Sequence, residues 1–207
     1  MTRAFLDQLA PLSPALQRVW DAGQAHFPGL QIHAYEARLV QLLLQLTGAK
    51  RVIELGCFVG LSALSMAEAI GENAEIHTCE RNPEHAALAK QHFAQHPLGK
   101  NITLHEGDAF AMIEQAEGLF DVAFIDAEKR KYKLYVEALL PKLKNGALLL
   151  IDNSLLKGAV ESGEPQERVS REAIDNMQSL HAMLQDRSRF EAVTLPTSDG
   201  LTVVMKR

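Results

Sequence analysis

Residues 51–65 read RVIELGCFVGLSALS and predict a strand, a tight glycine loop and the start of a helix. The strand-forming residues end at Glu54, and apolar residues at helical spacing resume after Gly60. Gly56 and Gly60 allow the loop backbone to adopt positive φ or to lie close to a ligand. The free N–H groups at the start of the helix favour a polar or negatively charged part of that ligand. The stretch therefore predicts a ligand-binding loop at a strand end.

The spacing of this loop differs from that of dinucleotide-binding loops, which carry G-x-G-x-x-G beneath a pyrophosphate. This chain has E-x-G-x-x-x-G instead, with an acid at the end of the strand. That pattern resembles the first motif of class I S-adenosylmethionine-dependent methyltransferases, whose ligand carries an amino acid tail and no phosphate.

Length and composition indicate one folded domain. The 207 residues suffice for a sizeable core, and 47% hydrophobic with 23% charged residues is ordinary for a globular protein. We expect residues 1–207 to form a single methyltransferase domain, with residues 1–34 as a helical extension. A net charge of −5 and a sequence pI of about 5.9 provide no broad positive field, which argues against nucleic acid as a partner.

Location and redox state can also be predicted. Residues 1–14 contain an acid and prolines where a secretory signal needs an apolar core, and no apolar run reaches membrane-spanning length. We therefore expect a cytoplasmic protein without a membrane partner. Cys57 and Cys79 lack metal-ligand spacing, so we expect reduced, packed thiols.

Strand and helix patterns alternate along the chain. Helical spacing is found at 13–26, 35–47, 61–70, 83–96, 109–116, 131–143 and 168–185. Strand patterns are found at 51–55, 74–79, 102–105, 120–125, 147–151, 190–195 and 201–206. Asn145-Gly146 predicts a turn, and the polar, glycine-containing residues 154–166 predict a loop with room to move.

This alternation predicts an α/β fold. Right-handed crossovers between parallel strands give a doubly wound, Rossmann-like sheet, here with seven mostly parallel strands. The last two strands are separated only by Pro-Thr-Ser-Asp-Gly, so they form an antiparallel hairpin.

Acidic residues collect at the predicted strand ends, where ligands of such sheets bind. They are Glu54, Glu80, Asp108, Asp126 and Asp152. Any one of them alone could equally cap a helix, but together they are better explained by a bound ligand. Glu80, at the end of the second strand, can accept both hydroxyls of a ribose, and Asp108 is placed to meet an adenine amino group.

The second half of the chain supplies a set of oxygen donors. Asp126 opens D-A-E-K-R-K-Y, and Asp152-Asn153 follow the next strand. Two carboxylates and an amide oxygen suit Mg²⁺, with Ca²⁺ or Mn²⁺ as alternatives, and make zinc a poorer candidate.

From about residue 35 to residue 207 the chain resembles the cation-dependent O-methyltransferases of the caffeoyl-coenzyme A and catechol type, in particular their small bacterial members. The motifs that carry the resemblance are ELGCFVGLS, IDAEKRKY, LPKLKNGALLLIDN and LPTSDGLTVV. The resemblance implies S-adenosylmethionine and a divalent cation as cofactors, a small hydroxylated aromatic acceptor and a homodimer.

The resemblance also implies roles for individual residues. Those around S-adenosylmethionine are Glu54, Gly56, Gly60, Ser62, Glu80, Asp108, Ala109 and Asp126. The metal ligands are Asp126, Asp152 and Asn153, and the catalytic residues are Lys129, Asp126 and Asn153.

Lys129 falls where the family has the lysine that takes the phenolic proton. A catechol that chelates the cation has one hydroxyl of lowered pKa, held in line with the sulfonium methyl. Lys129 can accept its proton if a nearby cation and partial burial lower the pKa of the amine. The alternative is that Lys129 is one of several solvent-facing charges in E-K-R-K.

Three positions depart from the family. Leu156 replaces an aromatic residue that stacks on the acceptor, Leu61 replaces a tyrosine, and His181 stands where asparagine is usual. They predict an acceptor pocket with less stacking than in plant phenylpropanoid enzymes.

Two other functions stay open at this point. One is methylation of RNA or protein on the same fold, which would call for a basic face or an N-P-P-Y-like motif where the chain has I-D-A-E. The other is a regulatory protein that binds the cofactor without catalysis, against which the intact Asp126, Lys129, Asp152 and Asn153 argue.

Overall fold

A seven-stranded mixed sheet contains the strands of residues 3–207, the part of the chain that the computed structural model describes. By its internal contacts the chain divides into two units, Met1–Asp108 and Ala109–Arg207. Each is described in turn. Residues 1 and 2 of the predicted helical extension lie outside the described residues.

The amino-terminal unit contributes three parallel strands. In chain order its elements are α1 (Arg3–Leu9), α2 (Pro14–His26), α3 (Ala34–Thr47), β1 (Arg51–Leu55), α4 (Leu61–Ile70), β2 (Glu75–Glu80), α5 (Pro83–Ala94) and β3 (Ile102–Glu106). The strands lie in the order β3-β2-β1, with Leu55 beside Cys79 and Glu80 beside Glu106. The ends of β1 and β2 therefore meet at one edge of the sheet.

The carboxyl-terminal unit contributes four strands. Its elements are α6 (Ala109–Gln115), β4 (Phe120–Ile125), α7 (Tyr132–Leu139), β5 (Leu143–Asp152), α8 (Ala159–Ser162), α9 (Arg171–Leu184), β6 (Phe190–Leu195) and β7 (Leu201–Lys206). Their order is β4-β5-β7-β6, with β4 parallel to β5 and the hairpin strands β6 and β7 antiparallel. The predicted fold, including the closing hairpin, is confirmed.

Helix ends follow the expected capping chemistry. The Ser13 hydroxyl accepts the N–H of Leu16 at 3.2 Å, so α2 begins at Pro14. Gly48 ends α3 with φ of 64°, a left-handed conformation that glycine adopts at little cost. Among residues 3–207, no helix is long and apolar enough to cross a membrane.

Several predicted boundaries were wrong. Asn145 and Gly146 do not form a turn between elements but lie within β5. There the pairing with β4 shifts from Phe120–Leu143 to Val122–Leu148, so these two residues belong to an irregularity within the strand. The helix predicted at 131–143 is shorter, since α7 ends at Leu139 and β5 begins at Leu143.

Three further differences concern helices. The helix predicted from 168 begins at Arg171, because Ser170 is its N-terminal cap and accepts the N–H of Ala173 at 3.2 Å. The segment 154–166 is not simply a loop, since it contains a 3-10 turn, Leu156–Gly158, and the short helix α8. Helix α1 lies within the helical extension predicted for residues 1–34, although no separate helix was predicted before residue 13.

Candidate functional site

The glycine loop after β1 has the backbone that its sequence predicts. Gly56 and Gly60 have φ of 96° and 89°, and Gly60 is the N-terminal cap of α4. A Cβ atom at Gly60 would lie 2.5 Å from Cε1 of the Phe93 ring, so the position lacks room for a side chain as well. Ser62, in the first turn of α4, is half-buried. The loop thus brings backbone N–H groups to the end of β1.

Glu54 lies inside the amino-terminal unit and is fully buried. Its Oε2 accepts a hydrogen bond of 2.5 Å from the Thr78 hydroxyl on the neighbouring strand β2. A buried carboxylate needs such donors because its transfer out of water is costly. Glu54 is therefore held in place beneath the glycine loop.

Glu80 is fixed at the end of β2 by two backbone donors. Its Oε2 accepts the N–H of Phe58 and its Oε1 accepts the N–H of Asn82, both at 2.8 Å. His85 Nδ1 lies 3.8 Å from Oε1. Each carboxylate oxygen has two lone pairs, so the fixed carboxylate retains acceptor capacity for a ligand. Sequence reasoning identified Glu80 but missed these donors.

A cluster of three aromatic rings lies beside Glu80. Phe58 has its ring centroid 5.4 Å from that of Phe27 and 4.7 Å from that of His85, and Phe27 and His85 are 4.8 Å apart. All three contacts are edge-to-face. Phe58 has a positive φ of 50°. Its position between the two glycines of the loop is the sequence feature that could have drawn attention to it.

Asp108 follows the strand end next to Glu80. Gly107, with φ of 138°, donates its N–H to the Glu80 carbonyl at 2.9 Å. This bond fixes the turn that carries the exposed Asp108. Ala109 is the first residue of α6 in the carboxyl-terminal unit and is buried. Glu54, Gly56, Gly60, Ser62, Glu80 and Asp108 belong to the amino-terminal unit.

The two cysteines are free and buried, as expected. Burial raises the pKa of the Cys79 thiol to about 12 and also raises that of Cys57. Both side chains are therefore neutral thiols near neutral pH, and neither is an activated nucleophile.

A hydrogen-bonded chain follows β4 in the carboxyl-terminal unit. The Lys129 ammonium donates to Asp126 Oδ1 at 2.6 Å and to the Tyr132 hydroxyl at 2.8 Å. Tyr132, which is fully buried, donates in turn to the Ile125 carbonyl at 3.3 Å. Lys129 is thus a fixed, partly buried cation and not one of several solvent-facing charges.

Protonation of this chain follows from its charges. Burial alone would lower the pKa of Lys129, but the charges and hydrogen bonds of Asp126 and Tyr132 outweigh it and raise that pKa. Burial raises the pKa of Tyr132, the charges of Asp126 and Asp152 add to it, and Lys129 opposes it. In this arrangement Lys129 holds its proton. The carboxylates of Asp126 and Asp152 both favour the neutral form of the Tyr132 phenol.

Asp152 and Asn153 lie at the same sheet edge as Asp126. Ile125 pairs with Ile151 in the parallel ladder, so Asp126 and Asp152 are the next residues on adjacent strands. Asp152 is buried, and its Oδ1 accepts the N–H of Asn153 at 2.7 Å. Asn153 has φ of 54°, a conformation that asparagine tolerates better than most residues. The sheet register thus places the backbone of Asp126 beside that of Asp152, with Asn153 next in the chain.

Hydroxyl groups hold the turn after Asn153. The Thr202 hydroxyl donates to Ser154 Oγ at 2.8 Å and contacts the Thr194 hydroxyl at 2.8 Å. His181 Nε2 contacts the Ser154 carbonyl at 2.8 Å. These contacts fix the backbone that follows the acid-amide pair.

Comparison with known proteins places these features in a family. A family model described as O-methyltransferase matches residues 12–207. The chain belongs to the O-methyltransferase family.

Two relatives and one solved structure illustrate the similarity. The chain is 34% identical to tricin synthase 2 from Oryza sativa subsp. japonica, over 81% of this chain and 60% of the relative, so it spans less than two thirds of that relative. It is 30% identical to catechol O-methyltransferase from Niastella koreensis, over 83% of this chain and 78% of the relative. The O-methyltransferase TomG from Streptomyces achromogenes, solved in complex with SAM, superposes with a TM-score of 0.87 at 26% identity and covers 98% of this chain and 94% of its own.

The structure shows the contacts of two residues at which the sequence analysis expected departures from the family, His181 and Leu156. His181 supports the turn after the metal-ligand candidates through its contact with Ser154. Leu156 is buried and has φ of 48°, and it lines a cavity that Lys129 also lines. At this position, where the family resemblance implied an aromatic ring, the chain has an aliphatic wall.

Proposed function

We propose that this chain transfers a methyl group from S-adenosylmethionine to a hydroxyl of a small aromatic acceptor with two vicinal hydroxyls. The observation that carries the proposal is the sheet register that sets Asp126 beside Asp152, with Asn153 next in the chain. Family membership and the similarity to a SAM-bound methyltransferase support the donor. The names of the relatives, which include a catechol O-methyltransferase, support the class of acceptor.

The residues of the amino-terminal unit are the proposed holders of the cofactor. The Glu80 carboxylate, fixed by the N–H groups of Phe58 and Asn82, is suited to accept ribose hydroxyls. Gly56, Gly60, Glu54, Ser62 and Asp108 remain proposed contacts of the same unit. Ala109 and Asp126, which belong to the carboxyl-terminal unit, also remain proposed contacts. S-Adenosylmethionine, when bound, supplies a methyl group on a sulfonium that is already activated for displacement.

A divalent cation fits the donor set of the carboxyl-terminal unit. Asp126 and Asp152 follow paired positions of adjacent parallel strands, and Asp152 is buried. Asp126, Asp152 and Asn153 would hold the ion, and oxygen donors of this kind favour Mg²⁺, Ca²⁺ or Mn²⁺. The cation, when bound, supplies Lewis acidity that lowers the pKa of an acceptor hydroxyl.

Lys129 is the proposed acceptor of the hydroxyl proton, at Nζ. As placed, its ammonium holds its proton because Asp126 and Tyr132 raise its pKa. Its Nζ can act as a base only when further positive charge compensates Asp126, the first of the groups that raise this pKa. The hydrogen bond from Nζ to Tyr132 keeps the amine oriented in either protonation state.

The experiment is transfer of a tritiated methyl group from S-adenosylmethionine to a panel of catechols, with and without a chelator. We expect transfer that the chelator abolishes and added Mg²⁺ restores. Asp126→Asn should lose transfer, whereas Asp121→Asn, at the opposite end of the same strand, should retain it. Transfer that a chelator leaves untouched would refute the metal, and failure with every catechol would refute the acceptor class.

The expected homodimer belongs to this proposal, because only the family resemblance supports it. Light scattering on the purified protein gives the molar mass directly. A mass near twice 22.8 kDa supports the dimer, and a mass near 22.8 kDa refutes it.

A further inference from the structure

A cavity of about 520 Å³ opens beside Lys129 in the carboxyl-terminal unit. Leu156 forms one wall, and the segment 165–170 with the first turn of α9 forms the other. Leu156 and Val169 are apolar, and Leu156 is buried, so this part of the cavity suits an aromatic ring. Because Lys129 also contacts Asp126, the cavity adjoins the proposed metal and acceptor site.

The exposed wall of the cavity contains a short turn at 166–169 that backbone hydrogen bonds hold in place. Gln166 and Val169 exchange two backbone hydrogen bonds, of 3.1 and 3.0 Å, which places Glu167 and Arg168 at the tip. The Gln166 side chain donates to the Lys157 carbonyl at 3.4 Å. Arg168 is therefore carried by a defined piece of backbone.

The cations of the cavity differ in how they are paired. Lys129 is paired with Asp126 at 2.6 Å, and Arg130 with Glu128 and with Glu172 at 3.6 Å. Within residues 3–207, no carboxylate lies at ion-pair distance from Arg168. Its guanidinium is thus the one lining cation of the described chain that is left for a ligand.

One acid, Glu167, also lines the cavity, so the wall is not uniformly positive. Lys129 and Arg130 are each paired with acids, so Arg168 is the lining cation whose charge no ion pair among the described residues offsets. Such a charge attracts an anion that a chain of net charge −5 otherwise repels. A guanidinium presents a planar fork that matches a carboxylate better than it matches a neutral hydroxyl.

We propose that the methyl acceptor carries a carboxylate on its dihydroxy ring and that Arg168 binds this carboxylate. The inference rests on the proposed function, since it assigns the acceptor of the same site. The ring lies against Leu156 and Val169, and the carboxylate points to the turn at 166–169. Arg168 acts on recognition of the acceptor and not on the transfer itself.

The test compares 3,4-dihydroxybenzoate with 3,4-dihydroxybenzyl alcohol as acceptors for the wild-type protein and its Arg168→Gln variant. We expect the variant to raise KM for the benzoate about tenfold, as for loss of one hydrogen-bonded charge pair, with kcat unchanged. KM for the neutral alcohol should stay within about twofold of its wild-type value. Arg168→Lys, which keeps the charge without the fork, should lie between the two.

Arg187→Gln is the matched control, because Arg187 is a highly exposed arginine of the same unit that does not line this cavity. It should leave both KM values unchanged. Equal KM values for benzoate and alcohol in the wild type, or an equal rise for both in Arg168→Gln, would overturn the inference. The inference that the acceptor carries a free carboxylate would also be overturned if the protein preferred a coenzyme A thioester of dihydroxycinnamate to every free acid.

Binding without turnover separates this inference from the proposed function. Isothermal titration of 3,4-dihydroxybenzoate should give weak binding that Arg168→Gln reduces about tenfold. If no catechol is methylated but this binding difference is found, the proposed function falls and the carboxylate site stands. If catechols are methylated and the binding difference is missing, the carboxylate site falls alone.

Discussion

Replacing Thr78 with valine should destabilise the chain more than the loss of an ordinary hydroxyl. Thr78 and Glu54 are both fully buried, and the hydroxyl donates to Oε2 at 2.5 Å. Valine has nearly the same shape, so packing is preserved while a donor to a buried carboxylate is lost. Hydrogen bonds to charged groups contribute about 1.5 to 3 kcal/mol, and burial shields this one from solvent. We expect the free energy of unfolding to fall by about 2 kcal/mol.

Urea denaturation measures this loss, and the melting temperature should fall by about 4 to 8 °C for a chain of this length. Thr194→Val is the matched control, because the half-buried Thr194 hydroxyl contacts a neutral partner, the Thr202 hydroxyl, at 2.8 Å. It should cost about 1 kcal/mol or less. In a Glu54→Gln background the cost of Thr78→Val should also shrink, because the charged acceptor is gone. If Thr78→Val costs no more than Thr194→Val, the buried carboxylate does not depend on this donor.

Gly60→Ala places a Cβ atom 2.5 Å from the Phe93 ring at a φ of 89°. It should lower the free energy of unfolding by more than Gly48→Ala, which has a left-handed backbone with open space around it and should cost roughly 1 to 2 kcal/mol. Equal losses in urea denaturation would contradict the close approach of Phe93 to Gly60. Two hydrogen bonds from Arg51 lower the pKa of Glu75 to about 2, so this pair stabilises the fold above the unfolded pKa of about 4.5 and the gain is lost as pH falls toward 2. Thermal unfolding should therefore show Arg51→Gln to be less stable than wild type by up to about 1 kcal/mol near neutral pH, a small difference because Glu75 is half exposed. The difference in free energy of unfolding should shrink progressively below pH 4.5, and a constant difference would contradict the linkage. Cys79, with its pKa raised to about 12 by burial, should resist alkylation in the native protein and react once denatured, as mass spectrometry can show; rapid native alkylation would contradict its burial.

Much of the fold could be predicted because its signals are local. Four strands, at 51–55, 120–125, 190–195 and 201–206, have the predicted bounds. Three of them are followed directly by a turn residue or an acid, namely Gly56, Asp126 and Pro196. The start of β5 could not be found in this way, because Asn-Gly is a strong turn signal and only pairing with β4 overrides it. The start of α9 was missed for a similar reason, since Arg168 belongs to the turn closed by Gln166 and Val169.

Part of the candidate site could likewise be predicted from local sequence signals, and part could not. Acids at strand ends could be read from the sequence, and the parallel register explains why Asp126 and Asp152 lie side by side. The donors to Glu80 could not be read, because they are backbone N–H groups and carry no residue identity. The raised pKa of Lys129 was also hidden, since it depends on the buried Tyr132 hydroxyl as well as on Asp126.

The most direct test of the proposed metal site is the Asp152→Ala variant, with methyl transfer to a catechol and binding of S-adenosylhomocysteine measured on the same sample. Because Asp152 is a proposed metal ligand and Glu80 is a proposed contact of the nucleoside, the loss of Asp152 should change methyl transfer and leave nucleoside binding intact. We predict that transfer is lost while the dissociation constant for S-adenosylhomocysteine stays within about twofold of the wild-type value. Full transfer by Asp152→Ala would contradict the account.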